Sequence, residues 1–185
     1  MARTATLFGI TLIGLIGCFG TGCGPIHSEA MTPTPIAMAK EQFDGKVVVT
    51  VDGLDDGEYC TKTPGLREFC MTRGQTAFSN GFAGMLPRFF KGGGEGYNAS
   101  FRFLDMQLVF ASTQTPGRKS MVKISMKWQF ELRDPSGEIV LQLAETTIGE
   151  NPMVNADQSP QGIREVMEQI LEQIGAALNK ELAES

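Results

Sequence analysis

The residues able to carry acid–base, nucleophilic or metal chemistry are few: one histidine, His27, and four cysteines, Cys18, Cys23, Cys60 and Cys70, in 185 residues. A serine or cysteine nucleophile needs a base within hydrogen-bond reach and a third group to orient that base. His27 sits in a Pro-, Thr- and Ala-rich stretch with no periodic apolar face, so a stable Ser-His-Asp or Cys-His arrangement inside a domain is excluded. Asp52, Asp55, Asp56 and Glu58 place four acids within seven positions, interrupted by Gly53, Leu54 and Gly57. Such carboxylates suit glycoside hydrolysis or calcium, but the spacing departs from the EF-hand loop and reads as a solvated turn. Lys91-Gly92-Gly93-Gly94-Glu95-Gly96 runs from a helix into a strand. A phosphate-binding loop runs the other way, so that amides at a helix start face the anion. No enzyme, cofactor or metal is expected.

Cys18 closes an apolar or small-residue run from Ala5 to Gly17, preceded by a single charge, Arg3. This is the layout of a secretory signal. Leu15-Ile16-Gly17-Cys18 resembles the lipobox of bacterial lipoproteins. The resemblance implies a signal peptide at 1–17 and a mature chain beginning at Cys18, with diacylglycerol on its sulfur and an acyl chain on its amine. Gly20-Thr21-Gly22-Cys23 is the alternative. Gly20 replaces Leu15 poorly, yet lipidation of Cys23 would leave no unpaired thiol. Phe19, in place of aspartate, implies the inner leaflet of the outer membrane, facing the periplasm, under the enterobacterial sorting rule.

Loss of Arg3 with the signal takes the formal charge from −5 to −6. That balance offers no electrostatic reason to bind nucleic acid or anionic headgroups. No later apolar run is long enough to cross a bilayer, so membrane contact would run through the lipid. In such an oxidising compartment Cys60 and Cys70, which flank Pro64-Gly65, are expected to form a disulfide. The rival is a zinc site, which needs two further ligands, and His27 lies outside the expected domain.

Residues 18–43 read as the lipidated N-terminus and a flexible tether, and 44–185 as one domain. Lys46 to Val51 is β-branched and bounded by Asp44-Gly45 and Asp52-Gly53, a strand. Phe78, Phe82, Met85 and Phe89 share one face of a helix from about 72 to 90, weakened by Gly81 and Gly84 and kinked near Pro87. Between about 97 and 112, Leu104, Met106, Leu108 and Phe110 alternate. Phe101 and Phe103 have the opposite parity, which calls for either a bulge or a strand covered on both faces. Val122, Ile124, Met126, Trp128, Phe130 and Leu132 alternate with polar residues in the next strand. Asp134-Pro135-Ser136-Gly137 is a type I turn into a strand at 138–147. Ser159 as N-cap and Pro160 then open a helix with a broad apolar stripe.

The fold class is therefore α+β, in the order β-α-β-β-β-α. A four-stranded, mainly antiparallel sheet would carry both helices on one face and leave the other open to water or a partner. This element order, with the anchor and the long terminal helix, resembles small envelope lipoproteins. They include the auxiliary lipoproteins of ABC-type transport systems and the lipoprotein that plugs the lipopolysaccharide-assembly barrel. The resemblance implies a non-catalytic accessory or scaffold subunit whose partner is an envelope protein, a transporter or barrel component. The alternative is a lipoprotein that binds a lipid or small hydrophobic ligand, with a cavity between the Phe78–Phe89 helix and the sheet.

Overall fold

The computed structural model describes residues 24–111, 121–153 and 155–184. Cys18 and Cys23 lie outside them. The elements run β1 (Ile26–Glu29), β2 (Lys46–Asp52), β3 (Glu58–Thr61), β4 (Phe69–Thr72), α1 (Gly74–Met85), β5 (Gly96–Phe110), β6 (Val122–Arg133), β7 (Ile139–Ile148) and α2 (Ser159–Glu184). The four-stranded sheet has the order β2-β5-β6-β7, parallel at β2–β5 and antiparallel elsewhere. The α+β class and the mainly antiparallel sheet with two helices are as expected. A second sheet, β1-β4-β3, was not expected.

Alternation in β6 sends Ile124, Met126, Trp128, Phe130 and Leu132 into the core, where each is essentially fully buried. Phe101 stacks near Trp128 and also meets Phe78 and Phe82 of α1. From the other helix, Ile163, Val166, Met167, Ile170, Ile174 and Leu178 bury completely. Trp128 Nε1 donates to Thr147 Oγ1 at 2.9 Å, and Thr147 Oγ1 donates to Gln173 Oε1 at 2.7 Å. This relay satisfies the buried indole and hydroxyl while tying β6, β7 and α2 together.

The parity conflict in β5 resolves as a bulge, the first of the two readings that the sequence left open. Register with β6 shifts between Phe103 and Asp105, leaving Leu104 without a cross-strand partner and partly exposed. One extra residue lets Phe101 and Phe103 before it, and Met106 and Leu108 after it, all face the core. The Asp134 turn also forms: Gly137 N donates to Asp134 O, while Asp134 Oδ1 accepts from Ser136 Oγ and Glu138 N.

Two helix ends differ from expectation. α1 stops at Met85, because Pro87 carries the chain into a 3₁₀ turn at Leu86–Arg88. Ser159 is not an N-cap; its hydroxyl donates back to Ala156 O. Asn155 and Gln158 instead form a capping box around a 3₁₀ turn, Ala156–Gln158, that leads into α2.

The larger difference concerns the segment read as tether. From Gly24 onward it is folded, so the domain does not begin at 44. Ile26–Glu29 adds a parallel strand to β4. Residues 30–43 then form a strap across both helices, and side chains take up its backbone groups. Thr34 N donates to Glu168 Oε1, and Arg88 Nη1 donates to the carbonyls of Pro35 and Ala37. Asn179 clamps both sides of the strap, accepting from Lys40 N and donating to Met38 O. A Cβ on Gly175 would stand 2.4 Å from Ala37 Cβ, and one on Gly81 would stand 2.7 Å from Pro33 Cγ. The helix glycines that weaken propensity are the sockets that admit the strap. A strap with side-chain partners has no hydrophobic period, which is why its sequence reads as a linker.

Candidate functional site

The chemistry-bearing residues fall into three places. The acid cluster disperses. Asp56 serves as a remote cap for α1: its Oδ1 accepts from Thr76 N at 2.8 Å and its Oδ2 from Thr76 Oγ1 at 2.5 Å. The helix needs this cap because Arg73, at its N-cap, adopts a left-handed φ of 58° and offers no side-chain cap. The Thr76 hydrogen bonds hold the Asp56 carboxyl below its ordinary pKa. Asp55 accepts from Gly57 N within its own turn. Glu58 turns to another strand altogether.

The second place is the small sheet. Cys60 and Cys70 are directly opposed on β3 and β4 and joined by a disulfide, as expected. His27 stands in register with Cys70 on β1, and its Nδ1 lies 2.5 Å from Glu58 Oε1. Arg73 pairs with Glu29 at 2.6 Å, and Arg67 donates through Nε and Nη2 to Gly24 O. Tyr59 joins this sheet to the larger one. Its hydroxyl donates to Asp105 Oδ1 at 2.9 Å at the β5 bulge, and its ring meets Phe103 edge-on. Burial, then the Asp105 carboxylate, raises the Tyr59 pKa.

The third place is the sheet face away from the helices. Cross-strand register lines up Ser100, Glu131 and Gln142, then Arg102, Gln129 and Ala144, then Asp105, Lys127 and Thr146. These rows hold two shallow polar clefts of about 180 and 140 Å³. Among the described residues no helix packs on this face, and Lys127, Gln129 and Arg102 are exposed. Opposite signs alternate across it, Asp105 beside Lys127 and Arg102 near Glu131, which suits a charge-complementary protein surface.

The cavity expected between α1 and the sheet is filled. Phe78, Phe82 and Phe89 are fully buried; Phe82 meets Phe101 at a tilt, with ring centroids 5.2 Å apart, and stacks on Phe130 at 6.1 Å. A groove of about 340 Å³ lies elsewhere, between Ile26, Leu66, Phe69, Leu108, Val122 and Met153, with Arg67 at its rim. Sequence periodicity could not locate it, because its lining comes from five separate segments.

No protein-family model matches the chain, and no curated protein matches it. Solved structures do. A Xanthomonas campestris protein of the DUF330 family superposes with a TM-score of 0.54 at 11% identity, covering 87% of this chain and 99% of that one. The two share a fold. A minor lipoprotein from Acinetobacter baumannii superposes with a TM-score of 0.40 at 9% identity, over 74% of this chain and 92% of that one. Among the described residues, no helix is long and apolar enough to cross a membrane.

Proposed function

We propose that this protein is a lipid-anchored lipoprotein of the bacterial envelope, facing the periplasm from the outer membrane, and a non-catalytic accessory or scaffold subunit of a transport or assembly complex. The observation that carries this reading is the open polar face of β5, β6 and β7, displayed by a domain whose first strand, β1, begins at Ile26, eight positions after Cys18 in the sequence. An anchor so near the first strand holds the domain close to the bilayer and limits how it can turn. Membrane attachment positions the surface; the partner reads it. Two or more acyl chains are needed for stable attachment, as triacylation of Cys18 would supply.

Affinity purification of the lipidated protein from crosslinked envelopes tests this. A transporter or barrel component should be recovered with the native chain and lost with a variant carrying Arg102→Glu and Lys127→Glu. Recovery of no envelope component would overturn the accessory reading. Mass spectrometry of the mature N-terminus should find Cys18 acylated; acylation at Cys23 would move the anchor, and an unprocessed Met1 would remove it.

The ligand-binding alternative now rests on the groove beside Ile26. Its apolar side chains, set beside Arg67, Asn155 and Ser159, suit an acyl chain with an acidic head. Co-purifying lipid, identified in organic extracts and lost on Leu108→Arg, would favour it over the scaffold reading.

A further inference from the structure

The fold gathers on one sheet face all the side chains that a tetrahedral thiolate site requires. His27 is in register with Cys70, and Cys70 with Cys60. Glu58 lies two residues from Cys60 on the same strand, and so on the same face. A ring nitrogen of His27, a Glu58 carboxylate oxygen and Cys70 Sγ lie within 4.8 Å of one another, and Cys60 Sγ is bonded to Cys70 Sγ. Zinc with sulfur, nitrogen and oxygen ligands at its usual bond lengths sets those atoms about 3.5 Å apart. Small side-chain rotations close that gap, because His27 and Glu58 are 56% and 43% exposed. The objection that the only histidine lay in a tether is removed by the parallel pairing of β1 with β4.

We propose that Cys60, Cys70, His27 and Glu58 form a Zn(II) site in the dithiol state of this protein, and that the Cys60–Cys70 disulfide is its oxidised, metal-free state. A dithiol donor supplies two electrons and two protons. The Cys60–Cys70 bond breaks, the donor closes to its own disulfide, and two thiols result. Zn(II) displaces the two thiol protons to solvent as two Zn–S bonds form. One imidazole nitrogen of His27 and one Glu58 oxygen complete the tetrahedron. In the oxidised state the sulfurs are spent on each other and only two good ligands remain, too few to hold zinc tightly. The site closes β1, β3 and β4 together, so metal takes over the crosslinking role that the disulfide gives up. None of this depends on the lipid anchor.

The test uses the lipidated protein in detergent, reduced with a dithiol and desalted without oxygen. Reduced protein should retain one equivalent of added Zn(II). With Co(II) in its place, it should show thiolate-to-cobalt charge-transfer bands and the intense visible bands of a tetrahedral site. Oxidised protein should bind at least a hundredfold more weakly. His27→Ala and Glu58→Gln should each weaken binding by the reduced protein at least tenfold. Both alter half-exposed side chains, and far-UV circular dichroism verifies that the variants are folded. Failure of the reduced protein to retain zinc overturns the proposal. So does equal binding by oxidised protein, or affinity unchanged in both variants.

Discussion

The two sheets of this molecule are stabilised by different physics. The four-stranded sheet owes its stability to one apolar face, with Phe101, Met126, Trp128 and Phe130 sealed beneath two helices. The three-stranded sheet is narrow, and its strands have four residues each. Its inner residues Phe69 and Met71 are buried, but its outer face is joined by a disulfide, the His27–Glu58 contact and the Arg73–Glu29 pair. The lesson is that a broad amphipathic surface is self-sufficient, while a small sheet at its edge needs crosslinks. Short strands bury too little to offset their ordering entropy.

The most severe way to break the larger sheet is Trp128→Ala. It removes a fully buried ring and leaves Thr147 without its donor, so a loss of about 3–5 kcal/mol is expected. Urea unfolding monitored by far-UV circular dichroism measures it; a loss under about 1 kcal/mol would mean that the core can collapse around the cavity.

In the smaller sheet, Cys60→Ser with Cys70→Ser should cost about 3 kcal/mol by the loop-closure relation. The distribution matters more than the total. Hydrogen exchange should rise in residues 58–72 while amides of β5 and β6 keep their protection. Uniform loss across both sheets would show that they unfold as one unit and erase the contrast between them.

The strap bridges the two regions, and Gly175→Ala sharpens its role. Alanine raises helix propensity, yet its Cβ would collide with Ala37. A net loss of about 1–2 kcal/mol is expected, with new proteolytic cuts between 30 and 43. A stabilised variant with an uncut strap would show that the strap is not seated in that socket.

Asp56→Asn should have the smallest effect and shows most clearly in acid. The folded Asp56 pKa is depressed by Thr76, so its contribution is present above the unfolded carboxylate value of about 4 and is lost as pH falls through the lower folded value. The native protein should therefore lose stability below about pH 4 more steeply than the Asn variant. Parallel acid limbs would mean that Thr76 does not discriminate between charged and neutral Asp56.

The legible parts of this chain are those where a local period meets one buried surface. Residues 122–133 alternate because β6 has one wet and one dry face, and residues 163–178 repeat at helical spacing because α2 covers the sheet. The β5 parity conflict was visible too, although the choice between a bulge and a strand covered on both faces was made by the register with β6. The Cys60–Cys70 pairing followed from the compartment that the resemblance implies, together with the intervening Pro-Gly turn. None of these requires knowledge of a distant residue.

Tertiary structure decided the rest. The strap has no period because its hydrogen bonds go to Glu168, Arg88 and Asn179, residues far along the chain. β1 exists because β4 offers it an edge, and only that pairing brings His27 to Glu58 and Cys70. Asp56 became a cap because Thr76 folds onto it, and the phenylalanine face of α1 became solid core because Phe101 and Phe130 reach up to fill it. Periodicity is a local record of which side is dry. Which side chains meet across that surface depends on register and crossing geometry, which no short stretch of sequence contains.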